Sequence, residues 1–309
     1  MKRKKVSVIG AGNVGASLAQ LLVQTGLSDV FLYDVAEGMP QGKALDLAEA
    51  CPLWGSSVSI TGTNDTSDLQ GSTVVVITAG LARKPGMSRD DLLHANASIV
   101  GGLAEELPRR CPDAAVIVVT NPMDVMAQLV WRRSGFPSRR VFGMGGVLDS
   151  ARLRAFIAWQ LGVSPKDVEA MVLGGHGDQM VPVKSLVSVK GVGISALLPE
   201  QRIDEIFERT KGGGAEIVSL LKNGSAYYAP AAAIYEMVKA VLLDEKRLLP
   251  CAACLEGQYG VTNLYAGVPV VVGAGGVEEI VEVPLTEKEK AAFDRSVSAV
   301  GSLAGLLAL

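Results

Sequence analysis

The feature that most constrains this chain is a glycine-rich turn close to its amino terminus. A short apolar run at residues 6–9 is followed directly by Gly10-Ala11-Gly12-Asn13-Val14-Gly15, and apolar residues then recur at helical spacing as far as Leu22. A G-x-G-x-x-G turn between a strand and a helix is typical of dinucleotide binding. The first glycine permits the turn, the second lets the backbone approach a pyrophosphate, and the third lets the helix pack on the strand. The N–H groups that open the helix would then bind the phosphates.

An acidic residue completes this pattern. Asp34 lies 19 residues after Gly15, at the end of a second predicted strand over residues 30–33. Its carboxylate is placed to accept hydrogen bonds from the adenosine ribose, and its charge would repel a 2′-phosphate, so the pattern favours NAD over NADP. The alternative is a sharp turn with no ligand, and a solvated acid at the end of a strand.

Alternating strands and helices predict the fold class. Apolar strands without a polar face are predicted near residues 6–9, 30–33, 74–77, 116–119 and 141–142, each separated from the next by a helical pattern. Such strands belong to a parallel sheet that helices cover on both sides. After Gly145 the pattern becomes a mixture of helices and strands. We therefore predict an α/β protein with a Rossmann-type, doubly wound parallel sheet at residues 1–145 and a second, mixed α+β substrate domain at residues 146–309.

Composition excludes several classes of protein. A formal charge of −3 and 5% aromatic residues argue against a nucleic-acid partner. The uncharged stretches at 6–28 and 257–277 contain several glycines and polar residues, so no membrane segment is expected and the protein is predicted to be cytoplasmic. Four cysteines fit free thiols better than a disulfide scaffold, and Cys251-x-x-Cys254 fits a buried strand better than a redox or metal site. The glycines at 212–214 are expected to kink or interrupt a helix predicted over 199–222.

Two loops follow the carboxyl ends of predicted strands, where ligands bind in parallel sheets. The loop from Thr78 to Asp91 carries three basic residues and a Pro-Gly turn, and it could close as a lid or remain a solvated charged loop. The second loop contains Asn121-Pro122, where the Asn121 amide could meet a bound ring and the peptide bond could be cis. An ordinary turn at the end of a strand is the alternative.

A third constellation carries acid/base chemistry. Asp149 and Arg152 are three residues apart, so on a helix they share one face. His176, one of two histidines, lies among glycines in the segment 174–178. A carboxylate bonded to an imidazole fixes the tautomer and stabilises the imidazolium, and an arginine can hold a substrate carboxylate through two hydrogen bonds. A structural role is the alternative for any lone histidine, and it is the interpretation kept for His94.

Taken together, these motifs resemble the lactate/malate dehydrogenase family over nearly the whole chain, most closely its lactate-dehydrogenase-like malate dehydrogenases. The matching segments occur in family order: GAGNVG, TAGLARKPGMSRDDLL, TNPMDV, GGVLDSAR, GGHGDQMVP and NGSAYYAPAAA. The resemblance implies NAD as cofactor, malate and oxaloacetate as substrate and product, a step of the tricarboxylic acid cycle, no metal, and a homodimer or homotetramer.

The resemblance also implies the roles of five side chains. His176 would be the acid/base residue and Asp149 its orienting partner. Arg152 would hold the C1 carboxylate of the substrate, and Arg89 would polarise the reacting carbonyl. Arg83 would select the far end of the substrate, because an arginine favours a second carboxylate.

Further cofactor contacts follow from the same resemblance. Asn121 would contact both the substrate and the nicotinamide side of the cofactor, and Asn96 and the backbone of Val119 would contact the cofactor. The chain departs from the family pattern at Ala82, where many relatives have proline, and at Asn223, where many have threonine. The first departure could loosen the lid.

Three alternatives remain open from the sequence. A lactate dehydrogenase, or another 2-hydroxy acid dehydrogenase, would use the same catalytic residues, and residue 83 discriminates between them. An NAD-dependent glycosidase can share this architecture but needs a metal site. A non-catalytic NAD-binding protein would have no reason to fill every catalytic position.

Overall fold

A computed structural model describes residues 3–81 and 88–309, with Arg89 described by its backbone alone. The first half contains six parallel strands in the spatial order β3-β2-β1-β4-β5-β6. This order is that of a doubly wound dinucleotide-binding sheet, in which successive strands are added on one side of β1 as far as β3 and on the other side from β4 onwards. The strands are β1 (Lys5–Ile9), β2 (Asp29–Tyr33), β3 (Ile60–Thr63), β4 (Val74–Ile77), β5 (Ala115–Val118) and β6 (Val141–Gly143).

Helices cover both faces of this sheet, as the apolar strands predict. Alternate residues of β4 pack in opposite directions: Val74 and Val76 belong to one apolar cluster, and Val75 and Ile77 to the other. A strand buried on both faces favours apolar side chains, and all four residues of β4 are buried. The helices of this half are α1 (Asn13–Gln24), α2 (Met39–Trp54), α3 (Arg89–Arg110) and α4 (Met123–Ser134).

The second half is mixed α+β, as predicted. Its helices are α5 (Gly145–Leu161), α6 (Glu200–Leu221), α7 (Tyr228–Leu243) and α8 (Glu287–Gly305). Its strands are β7 (Val168–Glu169), β8 (Val172–Leu173), β9 (Val181–Pro182), β10 (Ser188–Val189), β11 (Val192–Gly193), β12 (Arg247–Glu256), β13 (Thr262–Gly273) and β14 (Gly276–Ile280). Thr286 and Glu289 form a capping box at the start of α8.

The three longest strands of the second half extend the first sheet. β12, β13 and β14 are antiparallel neighbours, and β12 meets β6 through the pair Ala252 and Gly143. Among the described residues the sheet therefore has nine strands, and it crosses the position at which the sequence pattern changes. The sequence pattern does not indicate that strands of the second half attach to the parallel sheet.

The kink expected at residues 212–214 is wrong, because α6 continues through all three glycines. A β-carbon on Gly213 would lie 3.2 Å from Cδ of Arg152, so this glycine makes room for a side chain of the neighbouring helix. Gly213 therefore serves close packing of α6 on α5, whereas a β-carbon on Gly212 would meet nothing within 4 Å.

Two smaller expectations concern the cysteines and the membrane. Cys251 and Cys254 are buried in β12 with free thiols, as the strand interpretation predicts. Burial raises the pKa of the Cys254 thiol to about 11 and that of Cys251 further. In the part of the chain that the structure describes, no helix is long and apolar enough to cross a membrane.

Candidate active site

The glycine-rich turn has the geometry that its sequence predicts. Gly10 has a φ of +109°, and a β-carbon there would lie 2.6 Å from the backbone nitrogen of Ala79. A β-carbon on Gly15 would lie 1.9 Å from the carbonyl oxygen of Gly10, so only glycine lets α1 approach the turn this closely. Gly12, by contrast, has open space where a side chain would stand.

That open space is the surface a pyrophosphate needs. Gly12 is the N-cap of α1 and supplies no side-chain cap, so the helix begins at Asn13 and Val14 with N–H groups not capped by a side chain. The residues present therefore fit a dinucleotide phosphate group.

Asp34 lies at the carboxyl end of β2 and is tied to the turn. Its Oδ2 accepts a hydrogen bond of 2.7 Å from the N–H of Ala11, and its Oδ1 accepts one of 2.9 Å from the N–H of Ala36. Each carboxylate oxygen can accept a second bond, which leaves capacity for ribose hydroxyls. Lys43 on α2 donates to the carbonyl oxygen of Ala11 at 2.6 Å, a contact that the sequence analysis missed.

A second cluster joins the ends of β4 and β5. Asn96 of α3 is fully buried; its Oδ1 accepts from the N–H of Leu81 at 2.7 Å, and its Nδ2 donates to the carbonyl of Asn121 at 2.8 Å. These bonds hold the start of the predicted lid against the Asn121 turn. A direct contact between Asn96 and the cofactor stays a prediction.

The Asn121 turn follows β5 and leads into α4. The Asn121–Pro122 peptide bond is cis, and the Asn121 side chain is exposed. Val119 precedes the turn, and its N–H bonds to the carbonyl of Ile77 on the neighbouring strand at 3.0 Å. Thr78 then donates to the carbonyl of Gly10 at 3.0 Å, which connects this cluster to the glycine turn.

His176, Asp149 and Arg152 form one cluster around the buried Asp149 carboxylate. Nδ1 of His176 lies 2.7 Å from Oδ2 of Asp149, and a guanidinium nitrogen of Arg152 donates to Oδ1 of the same carboxylate at 3.1 Å. Asp149 and Arg152 share one face of α5, as their spacing predicts, and His176 lies in the loop between β8 and β9. The Asp149 carboxylate is 1% exposed, whereas the side chains of His176 and Arg152 are 13% and 12% exposed, so a buried carboxylate orients two groups that still reach the surface of the site.

The electrostatics of the cluster favour the protonated imidazole. Burial alone lowers the pKa of His176, but the Asp149 carboxylate, its hydrogen bond and the Asp124 carboxylate together raise that pKa above its ordinary value. Arg152 opposes them. A histidine whose charged form is stabilised in a buried site is suited to general acid/base catalysis.

Two buried side chains that the sequence analysis missed hold the backbone at His176. Oδ2 of Asp124 on α4 accepts from the N–H of His176, and Oγ of Ser296 on α8 accepts from the N–H of Gly175, both at 2.8 Å. A lone acid within the apolar segment 123–130 was the available signal for Asp124. Nothing in the sequence distinguishes Ser296.

Several residues that the sequence predicts for the site are not part of the clusters described above. Arg83 and the tip of the predicted lid lie outside the described residues, and Arg89 begins α3 with its side chain likewise outside them. His94 is exposed on α3 and lies apart from the cluster described above. Among the residues that the structure describes, no group of three or more histidine, cysteine or carboxylate side chains could hold a metal ion.

A histidine suited to proton transfer, together with a glycine turn that fits a dinucleotide phosphate group, is typical of one class of protein, the dinucleotide-dependent oxidoreductases. The family models narrow it further. The lactate/malate dehydrogenase NAD binding domain matches residues 4–143, and the lactate/malate dehydrogenase alpha/beta C-terminal domain matches residues 146–301. The chain belongs to the lactate/malate dehydrogenase family and is an NAD-dependent oxidoreductase.

Individual relatives are similar over their full length. A malate dehydrogenase of Desulforudis audaxviator is 58% identical over 99% of both chains. The crystal structure of Cryptosporidium parvum malate dehydrogenase superposes with a TM-score of 0.96 at 49% identity, covering 99% of this chain and 100% of that one. A lactate dehydrogenase of Cryptosporidium parvum, complexed with lactic acid and the dinucleotide, superposes with a TM-score of 0.97 at 44% identity, covering 99% and 98%. Backbone similarity therefore does not separate the two activities.

Proposed function

We propose that this protein is an NAD-dependent malate dehydrogenase, which interconverts malate and oxaloacetate by reversible hydride transfer. The observation that most supports a 2-hydroxy acid substrate is the buried His176–Asp149–Arg152 cluster. It combines a proton-transferring group with a cation that can hold a carboxylate. The names of the relatives support malate rather than another 2-hydroxy acid.

The proton is handled by Nε2 of His176. Nδ1 is bonded to the Asp149 carboxylate, so in the neutral ring Nδ1 carries the hydrogen and Nε2 has the lone pair. During oxidation, Nε2 takes the proton from the C2 hydroxyl of malate. During reduction, the imidazolium returns it to the carbonyl oxygen of oxaloacetate.

The arginines hold the substrate. Nε of Arg152 is buried and has no hydrogen-bond partner among the described residues, so its guanidinium retains donors for the C1 carboxylate. Arg89 is proposed to stabilise negative charge on the reacting oxygen, and Asn121 to contact the substrate and the nicotinamide side. When bound, NAD would supply the acceptor for the hydride that leaves C2 of malate, and the part of the protein's residues is to hold the substrate and the cofactor in alignment.

Arg83 is proposed to select a dicarboxylate. Oxaloacetate carries a second carboxylate beyond the one that Arg152 holds, and a buried carboxylate without a cation is costly. Arg83 precedes Arg89 by six residues in the same loop, so one closing segment could bring both to one ligand. With pyruvate, Arg83 would be enclosed beside a methyl group and left unpaired, which disfavours lactate chemistry.

The test compares kcat/KM for oxaloacetate and pyruvate, followed by NADH consumption, in the wild type and in Arg83→Gln. We expect the wild type to prefer oxaloacetate. Because a charge pair lost in a closed site costs about 2–5 kcal/mol, the variant's preference should shift toward pyruvate by about 30-fold to several thousand-fold. The shift should persist at high salt, since a closed site is little screened.

Lys84→Gln is the matched control, because it removes a neighbouring charge from the same loop. It should slow both substrates equally, with an effect that fades in salt. A wild type that reduces pyruvate as well as oxaloacetate would contradict the proposed function. An unchanged preference in Arg83→Gln would contradict the role of Arg83 alone.

The domain, partner and location assignments are part of the same proposal. Residues 1–145 bind NAD and residues 146–309 carry the substrate site, with the reaction serving the tricarboxylic acid cycle. Four free, buried cysteines support a reducing, cytoplasmic location. Exposed apolar side chains on α2, including Leu45 and Leu53, support a homodimer or homotetramer.

A further inference from the structure

Asp124 is a buried carboxylate, and one of its two oxygens has no hydrogen-bond partner among the described residues. It lies in the first turn of α4 and is 5% exposed. One oxygen, Oδ2, accepts from the N–H of His176 at 2.8 Å. The other, Oδ1, is buried and has no hydrogen-bond partner among the residues that the structure describes.

A structural anchor would not need this charge. An asparagine oxygen could accept the same hydrogen bond from His176 without the cost of burying an ion. That cost is visible here, since burial raises the pKa of Asp124 to about 6 despite the hydrogen bond from His176. A helix N-terminus favours an acid, but this effect operates equally at exposed positions. The charge itself must therefore have another use.

The charges around His176 indicate that the negative charge of Asp124 balances the positive charge of the imidazolium. The groups that act on its imidazole are Asp149 and Arg152 from α5 and Asp124 from α4. Asp149 is paired with Arg152 in a salt bridge, so those two charges balance. Asp124 contributes one uncompensated negative charge, which the imidazolium of His176 neutralises. Without Asp124, protonating His176 would leave a net positive charge in a buried site.

We propose that Asp124 is a positioning residue that makes the imidazolium of His176 the charge-balanced form of the empty site, while fixing the backbone of the same residue. The inference rests on the proposed function, because it concerns the proton that His176 exchanges. It assigns to α4 a part in the acid/base chemistry beyond the α5 residue Asp149. Asp124 itself touches neither substrate nor cofactor in this role.

The experiment titrates His176 by NMR in the enzyme without substrate, in the wild type and in Asp124→Asn. The chain has only two histidines, so His94→Gln assigns the signals. Asn keeps an acceptor for the N–H of His176 and removes the charge. We expect the pKa of His176 to fall by about one unit, as for loss of a nearby opposite charge. The upper limb of the pH profile for oxaloacetate reduction, which requires the imidazolium, should move to lower pH by the same amount.

Ser296→Ala is the matched control. It removes the adjacent backbone anchor, at Gly175, and carries no charge. It should reduce activity by loosening the loop but leave the pKa of His176 unchanged. If Asp124→Asn leaves that pKa unchanged, or if Ser296→Ala lowers it equally, the charge has no separate role and the proposal is overturned.

A second measurement uses the wild type alone, so it does not depend on whether a variant folds. Two coupled groups each report the titration of the other. The carboxyl carbon of Asp124 in the wild type should therefore show a second inflection where His176 titrates, and a single inflection would overturn the proposal. Both NMR measurements are made without substrate. They can therefore contradict the role of Asp124 in an enzyme that still oxidises malate, and they can support that role in a protein that does not.

Discussion

At the residue scale, the contacts of His176 determine how the rate should depend on pH. Asp149 and Asp124 outweigh burial and raise the pKa of His176. Oxaloacetate reduction uses the imidazolium, so its kcat/KM should be constant below that pKa and fall above it. Malate oxidation uses the neutral ring, so its kcat/KM should rise through the same pKa and be constant above it. Profiles measured in both directions should therefore be displaced, with oxidation favoured at higher pH.

His176→Ala should cut turnover by about 10²- to 10⁴-fold while leaving NADH binding nearly intact. His94→Ala is the control, because it removes the other histidine of the chain from an exposed helix position. Coincident profiles in the two directions, or an alanine variant at position 176 that keeps most of its activity, would place the catalytic proton elsewhere.

The same residues show how far a sequence predicts a site. Asp149 and Arg152 could be paired from the sequence because they are three residues apart on one helix. Asp124 and Ser296 could not be assigned, because they meet the His176 loop across separations of 52 and 121 residues. Contacts of that range follow from the packing of α4 and α8, which local patterns do not encode.

At the scale of elements, the glycines of α6 separate helix stability from substrate binding. Gly212 is exposed, and a β-carbon there would meet nothing within 4 Å. Gly212→Ala should therefore stabilise the protein by about 1 kcal/mol through helix propensity alone and leave kcat/KM unchanged. Gly213→Ala gains the same propensity, but its β-carbon would lie 3.2 Å from Cδ and 3.6 Å from Nε of Arg152. It should displace the guanidinium and lower kcat/KM for oxaloacetate by about tenfold.

Thermal unfolding and steady-state kinetics on the two variants check this difference. Equal kinetics for both would show that α6 does not constrain Arg152. The expected kink at residues 212–214 is absent because contacts with a neighbouring helix, and not helix propensity alone, determine what these glycines do. A run of glycines predicts a weak helix when only propensity is considered, whereas here the neighbouring helix α5 decides what the glycines do.

The strands likewise divide into features that the local sequence predicts and features that it does not. β4 and β5 are predictable because four consecutive apolar residues have no polar face. β12 and β13 also contain apolar runs, whereas β14 includes two exposed glutamates. The three strands attach to β6 through one residue pair, Ala252 and Gly143. That pair is non-local, so the continuous sheet across the two halves emerges only in three dimensions.

At the scale of the whole molecule, α2 presents an apolar face that the chain does not cover. Its inner face packs on α1 and β3 through residues such as Ala44 and Cys51. On the outside, Leu45 and Leu53 lie eight residues apart on one side of the helix, and they are 62% and 87% exposed. We propose that these leucines, which flank the exposed Glu49, contribute to an interaction surface; in a symmetric dimer the same face serves both subunits.

Sedimentation velocity should therefore give a mass of at least twice the 32.2 kDa of one chain. Leu53→Glu should shift the population toward the monomer. Burying a leucine stabilises by about 1.5–3 kcal/mol, and two-fold symmetry applies the change twice, so the dissociation constant should rise by about a thousandfold. Leu243→Glu, at the end of α7, introduces the same charge at a leucine that is 55% exposed, and it should leave the mass unchanged. A wild type that sediments as a single chain would contradict the assembly. An oligomer that survives Leu53→Glu would place its interface on another face, because a glutamate carboxylate could not be buried there without a partner.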